Sequence, residues 1–199
     1  MTTKEPVMHG WHWVKADRTL RTGEVVRAGG VYRATGPLVM CRNGLHASRR
    51  AVDALKYAPG PIVCAVELVG EILHDDDKSV ARERRVLWLA DASTILHEFA
   101  LTVATDALLV AEALGAAVDP RSREALRVKA QWLRGRATDA QLTAAWVAAR
   151  AAARAAAGVA AWVAVRAAAG DAAWDAAWAA AWAAQNLMLE TMLLGEERI

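Results

Sequence analysis

In CRNGLHASRRAVDALKYAPG, Cys41–Gly60, a single histidine, His46, stands between a glycine turn and Ser48, just ahead of a helical pattern. A helix start presents backbone N–H groups that lack intrahelical partners, and these attract anions and depress the pKa of a nearby histidine. His46 can therefore serve an anionic ligand such as a phosphate, or brace the strand-to-helix turn together with Ser48. HGWHW, His9–Trp13, is a second candidate. In a strand, His9 and Trp13 face one side and His12 the other, so the histidines do not share a metal, and the stretch suits an aromatic core or a wall for ligand stacking. HDDDK, His74–Lys78, gathers carboxylates whose repulsion calls for solvent, a cation or a basic partner. ARERR, Ala81–Arg85, follows it, and no second acidic cluster completes a magnesium or calcium site, so a solvated turn with its charges paired locally is expected.

Tryptophan precedes arginine by four residues at Trp132/Arg136, Trp146/Arg150 and Trp162/Arg166, a spacing that lays a guanidinium over an indole on an unbroken helix. GxSxG, Walker A, HExxH and GxGxxG patterns are absent from the chain, which points to binding rather than turnover. The candidate ligand residues are His12, Tyr32, His46, Ser48 and Glu67, with no metal and no cofactor.

The elements that must position these residues fall into two regimes. Up to residue 90, glycine and proline punctuate short β-type runs: His12–Lys15, Val31–Ala34, Leu38–Cys41, Ile62–Leu68, Glu71–His74 and Arg85–Leu89. Ser48 is placed to cap a helix reaching Tyr57, stopped by Pro59 and Gly60. That predicts an α+β domain over 1–90: a small mixed β-sheet with one short helix. From 91 to 199 the period becomes helical, and helices are expected over about 93–114, 120–134, 139–169 and 171–194. Arg154–Val165 (RAAAGVAAWVAV) and Arg166–Ala177 (RAAAGDAAWDAA) repeat with a period of twelve, with Gly170 and Asp171 suited to a break between helices. Beyond it, Trp174, Trp178, Trp182, Gln185, Leu189 and Met192 fall within about 80° on a helical wheel. The predicted architecture is an all-α, Ala/Trp-rich helical bundle whose interaction residues are Trp174, Trp178 and Trp182.

Composition narrows the classes of function. With 199 residues and 55% apolar content the chain can bury a core. A net charge of +2 gives no general pull toward nucleic acid or an anionic membrane. Cys41 and Cys64, each in an apolar run without a CxxC, read as buried free thiols. The first residues lack a signal-peptide pattern, and the uncharged apolar runs of the alanine-rich tail are shorter than the ~18 residues of a bilayer span. A cytoplasmic protein is expected.

GWHWVKADRTLR, GPLVMCRNGLHAS, DALKYAPGPIVCAVELVGEI, DDDK and VLWLADA, across about residues 10–92, resemble an uncharacterised domain family of bacteriophage and actinobacterial proteins, in which an alanine-rich or repetitive tail often follows. The resemblance implies phage or prophage origin and carries no activity. The order from GLHASRRAVDAL to IVCAVEL is also similar to the core of ADP-ribosyltransferase-like and RNA 2′-phosphotransferase-like folds, which grip NAD or its ADP-ribose. On that likeness His9–Trp11 would match the nicotinamide-side strand motif, and Glu67 or Glu71 would supply a catalytic acid. The reading that results is a phage-type accessory protein acting, without catalysis, through its helical domain on a protein partner or by self-association into a homo-oligomer. The alternative is an NAD- or nucleotide-binding protein with its site near His46, NAD being its cofactor.

Overall fold

The structure, a computed structural model, describes residues 6–156 and 171–196, with side chains placed for 6–151 and 179–195. The chain forms two compact units: Met1–Ile95 together with Asn186–Ile199, and Leu96–Gln185. The fold class is α+β.

The first unit is a five-stranded sheet built from β1 (Val7–Val14), β2 (Val31–Arg33), β3 (Leu45–Ala47), β4 (Ile62–His74) and β5 (Ser79–Asp91), with α1 (Ala51–Leu55) between β3 and β4. Every pairing is antiparallel, not mixed as expected from the sequence. The reason lies in the connections: β4 and β5 form a long hairpin whose turn is closed by Asp75 N–H donating to Lys78 O (2.9 Å), and an antiparallel partner needs no crossover. β4 lies between β1 and β5, and the far edge of β5 takes β3 at Ser79–Ala81 and β2 at Glu83–Arg85.

The sheet coils until β1 meets the residue following β3. Trp11 N–H donates to Ser48 O (2.8 Å) and Ser48 N–H to Trp11 O (3.0 Å), which closes β1, β4, β5 and β3 into a ring. Closure needs a residue without a side chain at position 10, because a Cβ on Gly10 would stand 2.6 Å from Ser48 O. Strand alternation then sends Met8, His12 and Val14 of β1, Ile62, Cys64, Val66 and Leu68 of β4, and Arg84 and Val86 of β5 to one face, where most of them form the core cluster with Tyr32 and Val26. Trp11 and Trp13 take the other face, and Trp11 meets Trp88 edge-to-face at 5.8 Å.

Several expected boundaries shift. Ile62–Leu68 and Glu71–His74 are one strand, because Gly70 at φ +86° takes up a register shift between Val69 and Ile72 without ending the pairing. Leu38–Cys41 is a tight turn bridged by Val39 and Asn43 rather than a strand, and Cys41 there is exposed while Cys64 is a buried free thiol. His46 lies within β3 rather than in a loop. The helix expected from Ser48 to Tyr57 shortens to Ala51–Leu55, and Ser48 does not cap it, its backbone being committed to Trp11. Instead Glu190 Oε1 accepts from Ala51 N–H (3.1 Å) and Asn186 Oδ1 from Val52 N–H (3.3 Å). Both come from the C-terminal stretch that the sequence reading assigned to the helical domain 91–199, and Leu189 and Leu193 beside them are buried.

The remaining elements are α2 (Ser93–Ala113), α3 (Pro120–Leu133), α4 (Asp139–Ala156) and α5 (Asp171–Glu196). Asp119 caps α3 by accepting from Arg121 N–H (2.8 Å), with Pro120 in the first turn. α3 packs on α4. Trp146 stacks with Arg150 at 4.7 Å as the spacing predicts, but Trp132 stacks with Lys129 at 4.1 Å and meets His97 edge-to-face, because α3 ends at Leu133 before Arg136 can reach it. Residues 157–170, with Trp162, Arg166 and most of the repeat's first copy, and the side chains of Trp174 and Trp178 lie outside the described residues; Trp182 is half-buried. α2, 21 residues long, holds an 18-residue window with a mean hydropathy of 1.4 and is long and apolar enough to cross a membrane by length and composition, although His97, Glu98, Asp106 and Glu112 break it into short uncharged runs.

Candidate functional site

A cleft of about 640 Å³ opens in the sheet unit between the inner face, the segment Thr19–Glu24 and the turn Cys41–Gly44. His12, Tyr32, His46 and Ser48 all line it. Glu67 does not. It sits between the inward residues Val66 and Leu68, so alternation turns it outward, where it pairs with His9 at 3.7 Å. Glu71 is likewise outside the cleft and faces Arg82 at 3.9 Å. Neither carboxylate can act as an acid on a ligand held beside His46.

The two cleft histidines are neutral at physiological pH. His12 lies opposite Cys64 on the inner face, and burial, then the charge of Arg84, then His46 hold its pKa well below the ordinary value. For His46 burial again leads, followed by Arg84 and Lys78. Its Nε2 accepts from Cys41 N–H (3.0 Å), which leaves the proton on Nδ1 and ties the ring to the turn. The Tyr32 hydroxyl accepts from Arg27 N–H (2.9 Å) and donates to Val25 O (3.0 Å), so it braces the segment forming one wall rather than standing free for a ligand. Burial pushes the Cys64 thiol up to about 11, so it is no nucleophile.

What the sequence reading missed is the cationic lining. Lys15, Arg21, Arg33, Arg42, Lys78 and Arg84 line the cleft against a single carboxylate, Glu24. Arg33 is partly neutralised by Glu83 at 2.7 Å. Arg84 is 2% exposed, and burial pulls its pKa down to about 10. Its Nη1–H donates to His46 O (2.8 Å), while its Nε–H has no acceptor. The indole N–H of Trp13, which is 2% exposed on the opposite face of the sheet, is unpartnered as well. A signal for Arg84 existed: in ARERRVLWL it occupies the alternation phase of the inward residue Val86, but the cluster read as one solvated charge run.

Beside the mouth, the HDDDK turn is engaged in local contacts. Asp77 accepts from the Tyr57 hydroxyl (2.8 Å) and from Lys56 (3.2 Å), and Lys78 donates to the Tyr57 hydroxyl (3.1 Å) while its ammonium lies 4.5 Å from that ring's centroid. Tyr57, itself on the lining, is exposed and held in place. Among the described residues no group of three His, Cys, Asp or Glu side chains is arranged to hold a metal ion. The arrangement can attract an anion, strip its water and orient it; a nucleophile paired with a base is not part of it.

Residues 8–98 match a family model described as a domain of unknown function, DUF7666. The match takes in the sheet from Met8 onward, α1 and the start of α2, and therefore the whole cleft. No curated protein and no solved structure matches the chain.

Proposed function

We propose that the sheet unit is a binding module for a small anionic molecule of the nucleotide or NAD class, taken up beside His46, and that it does no catalysis. The observation that carries this reading is the charge of the cleft: six basic side chains against one carboxylate, in a chain whose overall net charge is only +2. Concave walls of low dielectric concentrate such a field and raise the local concentration of an anion. Tyr57 offers a fixed ring at the mouth on which a base could stack. Thermal melting with millimolar NAD, ADP-ribose, ADP and adenosine tests it. The phosphate-bearing compounds are expected to raise Tm by mass action, less at higher salt, and adenosine to do so weakly. No shift with any of them would end the reading.

A second reading, a phage-type accessory protein working in the host cytoplasm through its helices, draws support from exposed apolar side chains. Leu109, Val110 and Leu114 at the end of α2, and Trp146 and Val147 on α4, each leave more than half their surface open. Patches of this kind favour self-association or a partner helix. Sedimentation of the purified chain, with Leu109→Ser and Val110→Ser introduced together, tests it: a concentration-dependent oligomer that the double substitution dissolves supports it, and a monomer at all concentrations opposes it.

A further inference from the structure

Arg84 sits at the centre of the inner face, opposite Leu68 on β4 and Tyr32 on β2, among the side chains of the core cluster. It forms no ion pair with any described carboxylate. The groups whose negative forms would lie nearest to it are Cys64, Tyr32 and Glu24. The first is held protonated by burial, the second keeps its proton in the hydrogen bond it donates to Val25 O, and the third is an exposed side chain at the rim. His12 and His46 beside it carry no negative charge in either protonation state. The fold thus buries a guanidinium with no counter-ion, fixes one end of its fork on His46 O, and leaves the Nε–H of the same fork without an acceptor. A buried charge without a partner destabilises the empty protein, and an apolar side chain of the same length would not.

The geometry points to Arg84 as the anchor for an oxyanion, a phosphoryl group of the ligand, which reaches into the cleft and accepts from Nε–H. This rests on the binding reading above and names the group that is recognised and the residue that recognises it. A guanidinium edge matches phosphoryl oxygens in pairs, and Arg21, Arg42 and Lys78 along the same cleft suit a group carrying more than one negative charge. An acceptor is what Arg84 requires: its buried Nε is a donor without a partner.

The test compares wild type, Arg84→Met and Lys78→Ala, titrated with inorganic pyrophosphate and ADP-ribose by calorimetry, with melting of each ligand-free protein alongside. The expected result is an Arg84→Met protein that melts at or above the wild-type temperature when empty yet binds pyrophosphate at least 100-fold more weakly, while Lys78→Ala weakens it by less than tenfold. A structural arginine gives the opposite pattern, a lower melting temperature with unchanged affinity, and that pattern overturns the anchor. Should Arg84→Met not fold, the Arg84 Nε–H resonance of the wild-type protein decides: it shifts on titration with pyrophosphate if the anchor is right and stays fixed if it is wrong. Wild-type binding that survives Arg84→Met but fails in Lys78→Ala removes the anchor and leaves the binding reading standing; wild type that binds neither compound removes both.

Discussion

The sheet unit and the helical unit use the same two residue types in opposite ways. In the sheet unit Trp13 and Arg84 are each 2% exposed, and both keep a polar hydrogen unmatched in the interior. In the helical unit Trp146 is largely open to solvent with Arg150 one turn away, Arg127 pairs with Glu124 and Arg121 with Asp119. These helix pairs lie within a few residues of each other, whereas the acceptor of Arg84, His46 O, comes from a strand 38 residues away. The contrast teaches how local and long-range pairing differ. Local pairs neutralise each other wherever the helix forms, whereas a charge brought to the middle of a coiled sheet meets only what the register supplies, and here the register supplies no carboxylate.

The largest expected effect lies on the sheet side: Trp13→Ala empties a buried site on the face of β1 away from the core cluster and should cost roughly 3–5 kcal/mol in a urea titration. If it costs no more than a surface change, the indole is not core and the contrast fails. Acidification comes next. The pKa of His12 is depressed in the folded state, so the unfolded chain binds its proton first, and stability present above the ordinary histidine value of 6.5 is lost as pH falls below it. The slope reaches at most about 1.4 kcal/mol per pH unit for one group, and His12→Phe should flatten the dependence of the urea midpoint between neutral pH and pH ~5. A slope unchanged in that variant would mean the ring is solvated.

Glu190→Ala should destabilise by about 1 kcal/mol, the scale of a lost helix cap, since it strips Ala51 N–H of its acceptor. Hydrogen exchange at Ala51 reports the same loss locally, and an unprotected amide in the wild type would contradict it. The smallest effect belongs to the helices: Trp146→Ala removes a stack on Arg150 and should change monomer stability by no more than about 1 kcal/mol. A larger loss, read from the same urea titration, would make that indole a packing residue and erase the difference between the units.

Elements whose cause is local were legible. Asp119 with Pro120 marks a helix start by cap chemistry alone, and Trp146 with Arg150 stacks because one turn of helix brings them together. Of the candidate residues, His12, Tyr32, His46 and Ser48 line one cleft and Glu67 does not, and the reason is parity: one residue along β4 separates inward from outward. Ser48 shows a different failure. Its type and place suit a cap, yet its backbone closes the ring with Trp11 and the cap duty passes to Glu190. Nothing near Ser48 in the chain announces that, because the competing partner is 139 residues from the amide it satisfies.

From its residues alone this protein was bound to change regime near position 91, with β-forming, glycine-punctuated chain before it and strong helix formers after, because propensity and periodicity are properties of neighbours. Tertiary structure decided that the sheet is antiparallel and closed, that the C-terminal helix end returns to cap α1, and that Arg84 rather than Glu67 faces the cleft. Those outcomes depend on strand register and on contacts between distant segments, and a single-residue step in register is enough to exchange a buried cation for a solvated carboxylate.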